Sequence, residues 1–166
     1  MSDAIIRPAV KADLPAVQAC LRETWHATYD AMFGAAEVTQ FSDRLHALGV
    51  LEQDLASPDA AFLVADCAGA IVGTVYAYQT EPGQLILARL YVRTHMQSRG
   101  LGRRLLAAAL ANFAAIDRVR LEVAAKNAAA IGFYEAQGFT RSPTQAHGHE
   151  AGASHHLVYE KHWPKH

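Results

Sequence analysis

The segment Gln97-Ser98-Arg99-Gly100-Leu101-Gly102 follows an apolar strand-like run, Leu85 to Val92, and opens a strongly helical run, Arg103 to Leu110. A turn of this kind can hold an anion. Backbone N–H groups at a helix start have no intrahelical partner, and the helix dipole adds partial positive charge there. Glycine at 100 and 102 lets a phosphate come close to the backbone. Arg99, Arg103 and Arg104 add fixed positive charge around the turn. Taken alone, Gly-x-Gly reads more simply as an ordinary tight turn before a helix. A dinucleotide fingerprint needs a third glycine where this chain has Leu105, and the Gly-Lys-Ser/Thr of a Walker A loop is absent from the sequence.

Other residue types could also do chemistry. His147, His149, His155 and His156 form a local cluster. A metal site is one reading, but the spacing matches no recognised ligand set and no cysteine joins it, so a polar loop is the simpler one. A titrating histidine that reaches a substrate cleft lies between the two. Cys20 and Cys67 sit in a helix-like and a strand-like run with no Cys-x-x-Cys spacing. They read as buried, reduced thiols rather than a disulfide, a metal site or a nucleophile.

These residues need a scaffold, and the pattern supplies one. Ile5 to Pro8 reads as a short edge strand. Asp13 reads as the N-cap of a helix running to about Trp25, with Leu14, Val17, Cys20 and Leu21 as its buried stripe. One or two further helices fill Tyr29 to Leu55. Ala61–Ala65 and Ile71–Tyr78 flank a turn at Cys67–Ala70, as in a β-hairpin. Glu81-Pro82-Gly83 turns the chain into the strand ending at Val92. The helix after Gly102 is expected to reach about Ala115. Arg118 to Val123 alternates charged and apolar residues, as a half-buried strand does. Asn127 caps a helix from Ala128 to Gln137, stopped by Gly138. Phe139 onward and His155 to Trp163 read as a last pair of strands, giving an α+β layout.

Composition bounds the class. The chain has 166 residues, 51% of them hydrophobic and 19% charged, enough for one domain over residues 1–166 with a proper core. A formal net charge of -1 gives no ground for general nucleic-acid or membrane-surface binding. No run approaches the roughly 18 consecutive apolar residues of a membrane span. The start of the chain lacks a signal-peptide pattern, so a cytoplasmic protein is expected.

A second segment narrows the anion. Asn127-Ala128-Ala129-Ala130-Ile131-Gly132-Phe133-Tyr134-Glu135-Ala136-Gln137-Gly138-Phe139 lies one strand after the glycine turn. Together the two segments resemble the GNAT superfamily of N-acetyltransferases. The turn matches its signature at Gln97, Gly100 and Gly102, and the later segment at Asn127, Ala130, Phe133, Tyr134, Gly138 and Phe139. The resemblance implies a mostly antiparallel, twisted central sheet of about six or seven strands, splayed at a cofactor wedge and flanked by helices. It implies acetyl-CoA as co-substrate and no metal. Backbone amides from Gln97 through Ser98, Arg99, Gly100, Leu101 and Gly102 to Arg103 would hold the CoA pyrophosphate. Leu90, Tyr91 and Val92 would pair with the pantetheine amides, and Asn127 would bond the pantetheine arm from the other side while capping its helix.

Acetyl transfer needs a neutral amine, a polarised thioester carbonyl and a protonated leaving thiol. An alkyl amine has a pKa near about 10.4 and a thiol near about 8.5, so the amine needs help to lose its proton. By resemblance Tyr134 is the general acid beside the CoA sulfur; a packed aromatic is its other reading. A backbone N–H near Tyr91 or Val92 would polarise the carbonyl. The base stays open. Gln84 stands near the family's frequent glutamate, while Glu81 and Glu122 each read more simply as surface charge, and a water chain could serve instead. Trp25, His26, Tyr29 and Phe33 recur near helical spacing; core packing explains most of them, with His26 or Tyr29 facing an acceptor. Glu23 to Tyr29 resembles the second helix region of several bacterial small-molecule acetyltransferases, among which the chain looks most like the polyamine N-acetyltransferase type; this implies a small-molecule primary amine as partner, and the lack of a suitably placed cysteine nucleophile points to direct transfer in a ternary complex. The acidic lining that a polyamine needs is not evident. A protein N-terminal or lysine acetyltransferase, and a CoA-binding module without turnover, are the alternatives. The resemblance also allows a homodimer through the last strands.

Overall fold

In the computed structural model, which describes residues 3–144, 146 and 156–164, seven strands form one sheet in the order β1-β2-β3-β4-β5-β7-β6. They are β1 Ile5–Pro8, β2 Ala60–Cys67, β3 Ala70–Glu81, β4 Gln84–Val92, β5 Arg118–Ala124, β6 Thr140–Arg141 and β7 His156–His162. The helices are α1 Leu14–Phe33, α2 Ala35–Leu45, α3 Leu48–Ala56, α4 Leu101–Leu110 and α5 Ala128–Ala136. Neighbouring strands are antiparallel except β4 and β5, which run parallel.

Side-chain alternation assigns the two faces. Val119, Leu121 and Val123 of β5 share one core with Leu85 and Leu87 of β4 and with Leu101, Leu105 and Leu106 of α4. On the other face α1 and α3 bring Leu14, Val17, Leu21 and Leu51 against Phe62, Val64, Ile71 and Tyr76. Each such leucine, fully buried, contributes about 2 kcal/mol of transfer free energy.

The expected stripe of α1 is buried, but the helix does not end near Trp25. Trp25 and Tyr29 continue the apolar spacing and pack with Val38 and Ala124. The helix therefore runs on until Gly34, whose φ of 87° breaks it. Asp13 gives α1 no side-chain cap. Its carboxylate accepts instead from the Val10 N–H at 2.8 Å and from the Arg7 guanidinium at 2.8 and 2.9 Å. The arginine outcompetes the helix start for it, and the carboxylate closes the 3-10 turn at Lys11–Asp13. The helix α4 stops at Leu110, short of Ala115, because the next residues turn through Asn112 N–H to Ala109 and Phe113 N–H to Leu110. The strand expected from Phe139 is only Thr140–Arg141, while Phe139 itself is core at 2% exposure.

Two irregularities in β4 shape the space beside it. Tyr76 pairs with Arg89 and Ala77 with Leu87, so Ala88 is an extra, bulged residue. Before the bulge Leu85 and Leu87 turn to the α4 core; after it Leu90 and Val92 do, and Arg89 and Tyr91 face the α1 side. Second, β4 and β5 pair only at Gln84↔Arg118, Leu85↔Val119 and Ile86↔Arg120. Beyond Ile86 the two strands have no mutual pairing.

His46, which ends α2, is buried among apolar groups. It accepts from or donates to Ser42 Oγ at 3.1 Å and meets the Trp25 ring edge-on at 5.0 Å. Burial, with the Arg89 charge adding to it, pushes its pKa down to about 3. The folded state thus holds His46 neutral, and the stability this gives is present above the unfolded pKa and lost as pH falls. Between about pH 7 and pH 5 the loss amounts to roughly 2 kcal/mol. Denaturant unfolding at the two pH values, repeated on His46→Gln, checks this; an unchanged pH slope in the variant assigns the effect to another group.

Candidate active site

A cavity of about 440 Å³ opens where β4 and β5 part. One wall is Leu87 to Val92 of β4, and the facing wall is Leu121, Glu122 and Val123 of β5. The glycine turn and the first residues of α4 close one end with Gln97, Ser98, Gly100, Leu101, Gly102 and Arg103. Asn127, Ala130, Phe133 and Tyr134 come from the α5 segment, and Thr24, Thr28 and Tyr29 from α1.

The turn is built to present backbone. Ser98 has φ 66° and Gly100 φ 75°, the second as the N-cap of α4. A left-handed Ser98 costs about 1 kcal/mol and persists only because its surroundings fix it. The Gln97 side-chain amide donates to the Val92 carbonyl at 3.0 Å and ties the turn to the end of β4. A Cβ at Gly100 would meet nothing nearer than Arg103 Nη2 at 3.7 Å, so the space outside this residue is open to a ligand. Alternating left-handed residues before a helix start make a concave set of amides suited to a phosphate group. The unpaired edge of β4 beside it offers backbone groups to an extended amide chain, as a neighbouring strand would. These features fit the pyrophosphate and pantetheine parts of CoA.

Tyr134 lies half-buried in the wall, its ring held edge-on against Phe133 at 5.2 Å and Phe139 at 5.7 Å. Burial, with the Tyr29 phenol adding to it, pushes its pKa above the ordinary tyrosine value. Tyr134 is therefore a protonated donor at neutral pH. Tyr29 faces the same space from α1, fixed by Trp25 at 4.9 Å and Phe33 at 5.9 Å. Asn127 does two things: its Oδ1 accepts from the Ala130 N–H at 3.1 Å, capping α5, and it lines the cavity.

Glu122 is in the cavity wall and half-buried, not a plain surface charge. Its side of β5 is the α1 side, because Leu121 and Val123 turn to the α4 core while Ala124, two residues on, packs with Trp25 and Tyr29. The signal in the sequence was the β5 alternation, which puts Glu122 opposite the core residues Leu121 and Val123. Arg89 is also in the wall, bonded to Asp54 at 2.8 Å and stacked 4.6 Å above the Tyr76 ring. Thr24 and Thr28 were legible only as polar breaks in the α1 stripe.

Several expected residues lie elsewhere. His26 does not line the cavity; its Nδ1 pairs with Asp30 at 2.7 Å and its Nε2 with Thr39 at 3.2 Å, both on the α2 side. Arg99 is exposed and outside the lining. Arg104 turns to the Ala4 carbonyl at 2.9 Å. Glu81 is exposed at the end of β3 and Gln84 sits where β4 still pairs with β5, so neither reaches the cavity. Neither cysteine lines it, and burial pushes the Cys20 thiol up to about 11. His147, His149 and His155 lie outside the described residues. Among the described residues no group of three or more His, Cys, Asp or Glu could hold a metal ion, and no helix is long and apolar enough to cross a membrane.

Comparison with known proteins finds the same fold in solved acetyltransferases. The PaiA N-acetyltransferase of Thermoplasma acidophilum, solved with coenzyme A, superposes with a TM-score of 0.85 at 22% identity, over 98% of this chain and 100% of that one. The ribosomal-protein-S18-alanine N-acetyltransferase of Escherichia coli gives 0.72 at 18%, over 98% and 96%. The ribosomal-protein-alanine N-acetyltransferase of Brucella melitensis gives 0.65 at 24%, over 96% and 99%. No curated protein sequence matches. At these identities the structures speak for the fold. The family itself comes from the Acetyltransferase (GNAT) domain, which matches residues 29–158. The chain therefore belongs to the GNAT acetyltransferases, acyltransferases that use acetyl-CoA.

Proposed function

We propose that this enzyme acetylates a primary amine directly from acetyl-CoA, with Tyr134 as proton donor and Glu122 as proton acceptor. The observation that carries the reading is the convergence of four features on one cavity: the glycine turn, the split strand edge, Tyr134 and Glu122. Acetyl-CoA supplies an activated acetyl thioester. Backbone amides between Gln97 and Arg103 bind the anionic end, the outer edge of Leu90, Tyr91 and Val92 aligns the extended arm, and Asn127 flanks it. Tyr134, a phenol protonated at neutral pH, delivers a proton to sulfur. Glu122 takes the proton that an alkyl ammonium with pKa about 10.4 retains at neutral pH. With both cysteines outside the lining, transfer is direct. Tyr29 bounds the acceptor's side.

The acceptor is a primary amine of a small molecule. A polyamine has one carboxylate in the cavity wall to meet, Glu122, against the arginines Arg89 and Arg103. The similarity to two ribosomal-protein-alanine N-acetyltransferases favours a protein α-amine as the second reading. Glu122 and Tyr134 in one site speak against a CoA-binding module without turnover. A cytosolic location and a homodimer belong to the same proposal.

Thiol release from acetyl-CoA across a panel of polyamines, aminoglycosides, amino acids and peptides tests it. Glu122→Gln should lower kcat about tenfold at neutral pH, less than the roughly hundredfold of a full base because solvent reaches the cavity mouth. The deficit should shrink as pH rises and the amine deprotonates unaided. A pH-independent deficit removes Glu122 as the base.

A further inference from the structure

The residues of β5 that face α1 form a row. Ala124 lies under Trp25 and Tyr29. Next comes Glu122 in the cavity wall, and then Arg120 and Arg118, beyond the cover of α1 and partly exposed, their side chains 24% and 33% accessible. Cross-strand pairing sets Glu160 of β7 opposite Arg120 and His162 opposite Arg118. Both guanidiniums bond the same carboxylate oxygen, Glu160 Oε2, Arg120 at 2.9 and 3.0 Å and Arg118 at 3.2 Å. One carboxylate cannot neutralise two arginines, so this group of three keeps a net positive charge, and exposed His162 stands 3.9 Å from Glu160 Oε1. The face is thus dipolar, with a carboxylate at the reacting end and a cationic group further along the strand. Arg89 is paired with Asp54.

We infer that the acceptor is a primary amine carrying a carboxylate at a distance, bound with its nitrogen at Glu122 and its carboxylate at Arg120 and Arg118. Two strand residues span about 7 Å and four about 13 Å, which sets the separation between the two groups. A diamine of the same length would bring a second ammonium onto the arginines. This rests on the reading of the cavity as an acetyltransferase site and specifies its substrate class.

The test compares ω-amino acids of increasing chain length with diamines of matching length, and adds short peptides with and without an acidic residue near the N-terminus. The ω-amino acids that span the interval should exceed the matching diamines in kcat/KM by about tenfold, as a charge-assisted contact allows. The preference should peak at one chain length and reside in KM. Acidic peptides outperforming ω-amino acids identifies a peptide as the source of the same chemistry. Arg118→Gln should raise KM for the ω-amino acid with kcat kept. The triple variant Arg118→Gln, Arg120→Gln, Glu160→Gln, which removes the three paired charges together, should abolish the preference. A diamine preference, or an ω-amino acid preference that survives the triple variant, overturns the inference. Calorimetric titration of the ω-amino acid into protein saturated with CoA separates the two levels. Binding without any turnover refutes the acetyltransferase reading alone, and turnover of other amines without binding refutes the carboxylate subsite alone.

Discussion

Tyr134→Phe should lower kcat by about two orders of magnitude while leaving the Kd for CoA within about twofold. The change removes one hydroxyl and keeps the ring, so the edge-on contacts to Phe133 and Phe139 survive and the wall keeps its shape. What is lost is a proton donor, and general acid catalysis is worth about 10²–10⁴ in rate. The leaving thiol has a pKa near about 8.5 and can leave as thiolate to some extent, which sets the expectation at the lower end. Because burial holds the phenol above its ordinary pKa, the wild-type rate should not fall off below pH 9 through loss of this proton. Steady-state kinetics across pH, beside calorimetry with CoA, distinguish the outcomes. Equal loss in CoA affinity would make Tyr134 a binding residue, and an unchanged kcat would end its role as acid.

Gly100→Val should weaken CoA binding about a hundredfold and cost stability as well. The backbone at 100 is left-handed, φ 75°, a region that a β-branched residue enters at a cost of about 1–2 kcal/mol or more, on the order of the per-residue penalty for that conformation. The protein itself leaves room for a side chain there. The larger effect therefore falls on the ligand, since a valine would stand between the amides and the pyrophosphate. Gly100→Asn separates the two costs, because asparagine tolerates this conformation but still carries a side chain. It should melt close to the parent and still bind CoA weakly. Full CoA affinity in a folded Gly100→Asn protein would contradict the pyrophosphate assignment.

Much of the fold is legible in periodicity. Leu14, Val17, Cys20 and Leu21 declare a helix face, the hairpin at Cys67–Ala70 declares its turn, and Asn127 declares the cap that it makes. Local rules fail where a longer-range partner overrides them. Asp13 has the right type and position for a cap, but Arg7 of β1, which bridges it to Asp66, claims it. His26 shares the spacing of Tyr29, yet one step around the helix turns it to Thr39 and Asp30. The Ala88 bulge is invisible in sequence, because an extra residue in a strand leaves an apolar run looking continuous. Its effect is to aim Arg89, a charged residue, at Tyr76 of β3 and Asp54 of α3, on the α1 side of the sheet. Glu122 differs from its surface-charge reading for the opposite reason: alternation places it correctly on a face, and only the splay of β4 and β5 makes that face part of a site.

The parting of β4 from β5 has a consequence for how such an enzyme diversifies. A donor gripped by main-chain groups, as proposed above, would make almost no demand on side-chain identity, so drift along these strands would leave acetyl-CoA binding intact. In the same proposal these strands would display their side chains to the incoming amine. Under the proposed reading, substitutions at positions such as 118 and 120 would then retune the acceptor one residue at a time, under a donor site that stays constant. Wide sequence divergence over one conserved architecture is the outcome that this division of labour allows.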